Sequence, residues 1–145
     1  ITDEGLIAIC QSCQKLEVLE ISNIPITDKG ATCIGENLPL LKALYMRDNF
    51  LLTNRSIDTI TKKCHLLSEL TLWGCTKLCH LKFCNDDQMK SGGRLVLLNL
   101  WGCNSLLDEA ANALTGMHHL RSLVASECHK LTNSFLVSRL NGEQR

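Results

Sequence analysis

An excess of charge of either sign is absent from this chain. Its 15 basic and 15 acidic residues cancel over 145 positions, and the longest basic run is Lys62-Lys63. A protein that binds nucleic acid or an anionic membrane needs a basic patch to neutralise phosphates, so neither partner is expected. Long apolar runs are also absent. None approaches the roughly 18 residues that read as a transmembrane helix, and no signal-peptide pattern opens the chain. There is no Gly-rich phosphate loop and no nucleophile elbow. His118-His119 has no acid or nucleophile in a recognisable arrangement around it. An enzyme is therefore not expected, and no cofactor is implied. The chain starts at Ile1, inside a repeat, and reads as a piece of something longer.

What is present is an internal repeat. Leu67-Ser-Glu-Leu-Thr-Leu-Trp-Gly-Cys75 returns as Leu95-Val-Leu-Leu-Asn-Leu-Trp-Gly-Cys103. Both fit Leu-x-x-Leu-x-Leu-x-x-Cys. Leu120 to Cys128 keeps the frame with Ala125 at the third apolar position. Two looser copies precede them, Leu16-Leu19-Ile21 ending on Ile24, and Leu41-Leu44-Met46 ending on Asn49. The starts at 16, 41, 67, 95 and 120 are 25, 26, 28 and 25 residues apart. A period of this size means supersecondary units stacked side by side. With 45% apolar and 21% charged residues, residues 1–145 are read as one such domain.

Each unit has two halves. In Leu-x-x-Leu-x-Leu the last two apolar residues alternate with outward neighbours, the period of a strand. The second half opens on a turn signal and continues at helical spacing. Ile1-Thr2-Asp3-Glu4-Gly5-Leu6, Ile26-Thr27-Asp28-Lys29-Gly30, Leu52-Thr53-Asn54, Leu106-Leu107-Asp108 and Leu131-Thr132-Asn133 all show it. Thr, Asp or Asn before an apolar i, i+3, i+7 stripe predicts a helix N-cap. Strand then helix at so short a period predicts an α/β architecture, with parallel strands on one face, helices on the other, and a stack bent into an arc. The expected core is Leu19, Ile21, Leu44, Met46, Leu70, Leu72, Leu98, Leu100 and Leu123, met by Ile9, Ile34, Ile60, Leu114 and Leu136.

The third unit departs. Residues 79–94 lose the cap signal, turn polar and end on Gly92-Gly93-Arg94. A loop is expected on the helical side, covering the core less well. A mobile insertion is preferred there over a docking loop.

Nine cysteines is a high, odd number. Cys75, Cys103 and Cys128 fill one repeat position, and Cys13 and Cys64 another. A cysteine recurring with the period acts as a small buried apolar side chain. Reduced thiols and a cytoplasmic or nuclear protein are expected. Cys10-Gln-Ser-Cys13 falls in the last turn of its helix, the wrong end for a redox pair, so packing is preferred. Cys75, Cys79, His80 and Cys84 are zinc-competent. Their spacing matches no closed pair, and no metal is expected.

The unit Leu-x-x-Leu-x-Leu-x-x-Cys, followed by Ile-Thr-Asp-x-Gly-Leu and a helix ending in Cys, resembles the cysteine-containing leucine-rich repeat. The likeness runs through the whole chain as about five repeats of a leucine-rich-repeat solenoid. Ile24 and Asn49 depart from it at the strand-end position. Such repeats are similar to those of F-box/leucine-rich-repeat proteins, the substrate receptors of cullin–RING ubiquitin ligases. That resemblance implies a substrate-recognition role, with ubiquitin ligase subunits as further partners reached through a separate helical F-box.

The outward strand residues form three columns: Val18, Ala43, Glu69, Leu97, Ser122; Glu20, Tyr45, Thr71, Asn99, Val124; and Ser22, Arg47, Trp73, Trp101, Ser126. Neighbouring strands lie about 4.8 Å apart, so Trp73 and Trp101 should touch, with Tyr45 and Arg47 one strand away. Trp, Tyr and Arg are the residues enriched at binding hot spots. Tyr45, Arg47, Glu69, Trp73, Asn99 and Trp101 are the candidate partner-binding residues. The alternative is that the tryptophans only shield the sheet. A structural scaffold with no ubiquitin role is the rival function.

Overall fold

The computed structural model describes residues 1–83, 94–114 and 117–134. They form an α/β fold built on one five-stranded, all-parallel sheet. Strands β1 (Val18–Glu20), β2 (Ala43–Tyr45), β3 (Glu69–Thr71), β4 (Leu97–Asn99) and β5 (Ser122–Val124) lie side by side in chain order. Helix α1 (Asp3–Ser12) precedes β1, α2 (Asp28–Asn37) joins β1 to β2, α3 (Asn54–Lys63) joins β2 to β3, and a 3-10 helix (Asp108–Leu114) joins β4 to β5. The register matches the repeat frame. Leu19, Leu44, Leu70, Leu98 and Leu123 are paired in one row. A one-residue slip would turn that row out of the core.

Most of the expected core is buried, including Ile21, Met46, Leu72 and Leu100 on the sheet side and Ile34, Ile60 and Leu114 opposite. Leu123, in the last strand, is half-buried. Four expectations need correction. Ile9 is only half-buried, because α1 presents Leu6 and Cys10 to the core instead. Cys13 is exposed. Its counterpart Cys64 is buried because its thiol lies against the carbonyls of Ile34 and Leu38 in the unit before, and no described unit precedes Cys13. Residues 79–83 form no helix, as expected, yet they cover the core well: Leu81 is 5% and Phe83 4% exposed. The rest of that irregular segment, 84–93, lies outside the described residues, as does Leu136. Finally, the fourth connection is a 3-10 helix. Its buried Ala110, Ala111 and Ala113 have short side chains that let the backbone lie close to the sheet.

Two ladders of polar contacts tie each unit to the one before. The first explains the Thr-Asp motif. The Asp3 carboxylate accepts from the Thr27 amide (2.8 Å) and hydroxyl (2.6 Å). Asp28 accepts from the same two groups of Thr53 at 2.9 and 2.5 Å, and Asp108 accepts from both groups of Thr132. Asn54 stands in the same place and takes the amides of Cys79 (3.1 Å) and His80 (3.3 Å). Thr27, Thr53 and Thr132 also accept from the amide two residues on, those of Lys29, Arg55 and Ser134; Thr2 makes no such cap. Asp108, expected as a cap, serves the next unit. Burial pushes the Asp28 carboxyl upward, but hydrogen bonds from Thr53 and Ser56 outweigh it and hold the group below its ordinary 3.8.

The second ladder runs along the strand ends. Cys75 donates to the Met46 carbonyl (3.3 Å), Cys103 to Leu72 (3.0 Å) and Cys128 to Leu100 (3.0 Å). Each thiol sulfur also accepts an amide from the equivalent position one unit earlier, Asn49, Cys75 and Cys103 respectively. Asn49 fits this pattern. Its Nδ2 donates to the Ile21 carbonyl at 2.7 Å and its Oδ1 accepts from the Ile24 amide at 3.3 Å. Burial pushes the Cys75 thiol up to about 12 and raises Cys103 and Cys128 too. All described cysteines are unpaired. Because the thiolate is the reactive form, site-resolved alkylation of the native protein should label exposed Cys13 and Cys79 quickly and the three strand-end cysteines only after denaturation. Rapid native labelling of all three would overturn the buried ladder.

One residue before each strand end the backbone is left-handed, at Asn23 (φ 53°), Asp48 (53°), Gly74 (71°), Gly102 (70°) and Glu127 (57°). Gly102→Ala should cost about 1–2 kcal/mol, the strain of an L-residue in that region. Gly74→Ala should cost more, because a Cβ there would sit 2.2 Å from Asp48 Oδ1, whereas at Gly102 the nearest atom is 3.8 Å away. Urea melts of the two variants check this; equal losses would show that Asp48 swings aside freely.

Candidate protein interface

The strand register sets the outward face. Glu20, Tyr45, Thr71, Asn99 and Val124 share one row, and Val18, Ala43, Glu69, Leu97 and Ser122 the next. Three residues past the central leucine of β3 and β4, Trp73 and Trp101 meet edge to face, with ring centroids 4.7 Å apart and planes at 69°. The Arg47 guanidinium lies 5.6 Å over the Trp73 ring. Three strands thus contribute one continuous slab. Trp101 is 38% exposed, Trp73 half-buried and Arg47 exposed.

The remaining candidates brace this slab. The Tyr45 hydroxyl donates to Glu69 Oε2 at 2.6 Å. That bond, with a smaller effect of burial, pushes the phenol above its ordinary 10.0. Asn99 Oδ1 accepts the Trp101 backbone amide at 3.0 Å, fixing the start of the turn that carries the indole. Thr71 and Ala43 point outward yet are buried, since larger side chains on neighbouring strands close over them. Alternation along a strand gives direction, and the size of the neighbours decides exposure.

Sequence reading missed a second feature of this edge. Phe50 and Leu51 are exposed and, with Asn23, Ile24, Pro25 and Asp48, line a shallow concavity of about 240 Å³. The signal was available. The three later units carry polar pairs there: Thr76-Lys77, Asn104-Ser105 and His129-Lys130.

The cysteine and histidine residues of the third unit are spread apart. Cys75 is buried against the Met46 carbonyl, Cys79 is exposed, and His80 Nδ1 lies 3.1 Å from Asn54 Nδ2. Cys84 lies outside the described residues. Among the described residues no three His, Cys, Asp or Glu side chains converge as a metal site would require, and no helix is long and apolar enough to cross a membrane.

No protein-family model matches the chain, and no curated protein matches it. The functional reading therefore rests on the face itself and on the repeat.

Proposed function

We propose that the chain is a protein-interaction module, a leucine-rich-repeat solenoid whose outward sheet face takes a protein partner. The observation that carries this reading is the Trp73–Trp101 pair with Arg47 against it. Each Trp can bury about 150–250 Å², and aromatic surface left open in a contiguous patch marks an interaction site. The more specific role, substrate recognition for an F-box-type ubiquitin ligase, draws its support from the resemblance of the repeats alone.

The test starts from a partner captured by the immobilised chain and identified by mass spectrometry. Trp73→Ala and Trp101→Ala should each weaken its binding by at least about 2 kcal/mol, roughly 30-fold, with little change in the melting curve. Undiminished binding by both variants would reduce the pair to a packing device. Ubiquitin ligase subunits co-purifying with a longer form of the protein would support the specific role.

A structural scaffold is the second reading, and the β1 edge favours it. Val18 is a large apolar side chain 58% exposed there. A scaffold would lose assembly on Val18→Lys and be indifferent to the tryptophans.

A further inference from the structure

The interface reading leaves open what the partner carries, and the charges of the face bear on that. Its strand columns hold three charged residues, Glu20, Arg47 and Glu69. Glu69 is engaged by the Tyr45 hydroxyl. Glu20, on the edge strand, has Ser22 Oγ at 3.5 Å. Arg47 has its backbone amide on Ser22 Oγ and its guanidinium over Trp73. No ion pair within 4.0 Å involves Arg47 among the described residues. The acid ahead of it on β3 is thus held by a phenol, and among the described residues no carboxylate pairs with the Arg47 guanidinium.

Resting on the interface reading, we propose that Arg47 is an anion anchor: the face takes an extended peptide segment of another protein, with an Asp or Glu carboxylate on Arg47 and a large apolar side chain covering Trp73 and Trp101. A guanidinium stacked over a ring keeps its planar fork of N–H groups for an in-plane, bidentate acceptor, which a carboxylate matches. The apolar wall beside it excludes water and strengthens that pair. Arg47 and Trp101 are two strands apart, about 9.6 Å at 4.8 Å per strand. An extended peptide rises about 3.3 Å per residue, so the apolar residue lies two to three positions from the acid. Glu20 repels the acid from the β1 side. The segment therefore runs from Arg47 toward β4 and β5, where Leu97 and Val124 continue the apolar surface.

The experiment is selection of random peptides displayed on phage against the full chain, followed by binding of one selected synthetic peptide. The expected outcome is enrichment of Asp or Glu two or three positions from Trp, Phe or Leu. Selection on Arg47→Gln should keep the apolar preference and lose the acid. Replacing the acid of the synthetic peptide by its amide should cost about tenfold on the wild type, the scale of a charge-assisted hydrogen bond, and nothing on Arg47→Gln. Raised salt should weaken only the wild-type complex. Peptides that need Trp101 but show no acid preference, or that keep it on Arg47→Gln, overturn the anchor and leave the interface standing. Failure to select any Trp101-dependent peptide overturns both.

Discussion

Leu70→Ala and Leu81→Ala should each lower the free energy of unfolding by about 2–5 kcal/mol, the range for truncating a buried leucine. For Leu70 this follows from its place in the central row of the sheet, where it has no exposed surface. For Leu81 it reverses the expectation drawn from sequence. Loss of the helical signal after Leu78 suggested poor cover, yet Leu81 and Phe83 are buried in the same core as Ile60 and Leu78. A helix is only one way to hold apolar side chains against a sheet; an irregular segment does it as well if the backbone groups it frees find partners. Asn54 supplies one, accepting the amides of Cys79 and His80. Domains of this kind are stable by about 5–15 kcal/mol, so either loss should move the urea midpoint far. A loss below about 1 kcal/mol for Leu81→Ala would show that residues 79–83 lie over the core without supporting it.

Asn49→Ala should cost about 2–4 kcal/mol, while Asn49→Cys should cost no more than about 1. Asn49 is fully buried and satisfies two backbone groups, the Ile21 carbonyl and the Ile24 amide. Alanine would leave both unpaired, and each buried orphan costs about 1–3 kcal/mol. Cysteine in the next three units makes the same pair of contacts through sulfur, donating to a carbonyl and accepting an amide. The order of stability, Asn then Cys then Ala, is read from chemical denaturation. If Cys and Ala prove equally damaging, the equivalence of thiol and amide in this ladder is wrong.

The register of the sheet was legible in the leucine frame, because aligning the repeats residue for residue puts their leucines in one row and a one-residue slip would turn that row out of the core. The meeting of Trp73 and Trp101 followed from it, since side chains at equal positions on neighbouring parallel strands must be adjacent. Contacts between units were not legible in the same way. Asn49 looked like a departure from the cysteine pattern because residue type was compared, and the function of the position is donation and acceptance together. Asp28 looked like part of its own helix cap, while its carboxylate reaches 25 residues ahead to Thr53. Cys13 was misjudged because burial at its position is supplied by the unit before. The left-handed position was within reach: Asn23, Asp48, Gly74 and Gly102 are the residue types that accept it, and only Glu127 hides it. At the site, the columns named the side chains correctly but could not show that Tyr45 engages Glu69 or that Thr71 is covered.

The side-chain donors of both ladders share a common direction, while Asn49 and the three thiols also accept an amide from the unit before. Thr27, Thr53 and Thr132 each donate to the Asp of the unit before, and Asn49, Cys75, Cys103 and Cys128 each donate to a carbonyl one unit earlier. Under mechanical load such a chain has unlike ends. Each unit contacts only its neighbours, and detaching the last one removes its side-chain donors from the unit before, so tension applied at the termini should peel the domain in discrete increments. Each increment of 25 to 28 residues would release about 90–100 Å of contour at roughly 3.6 Å per residue. A sawtooth of that spacing in a force–extension trace is the mechanical signature of this arrangement.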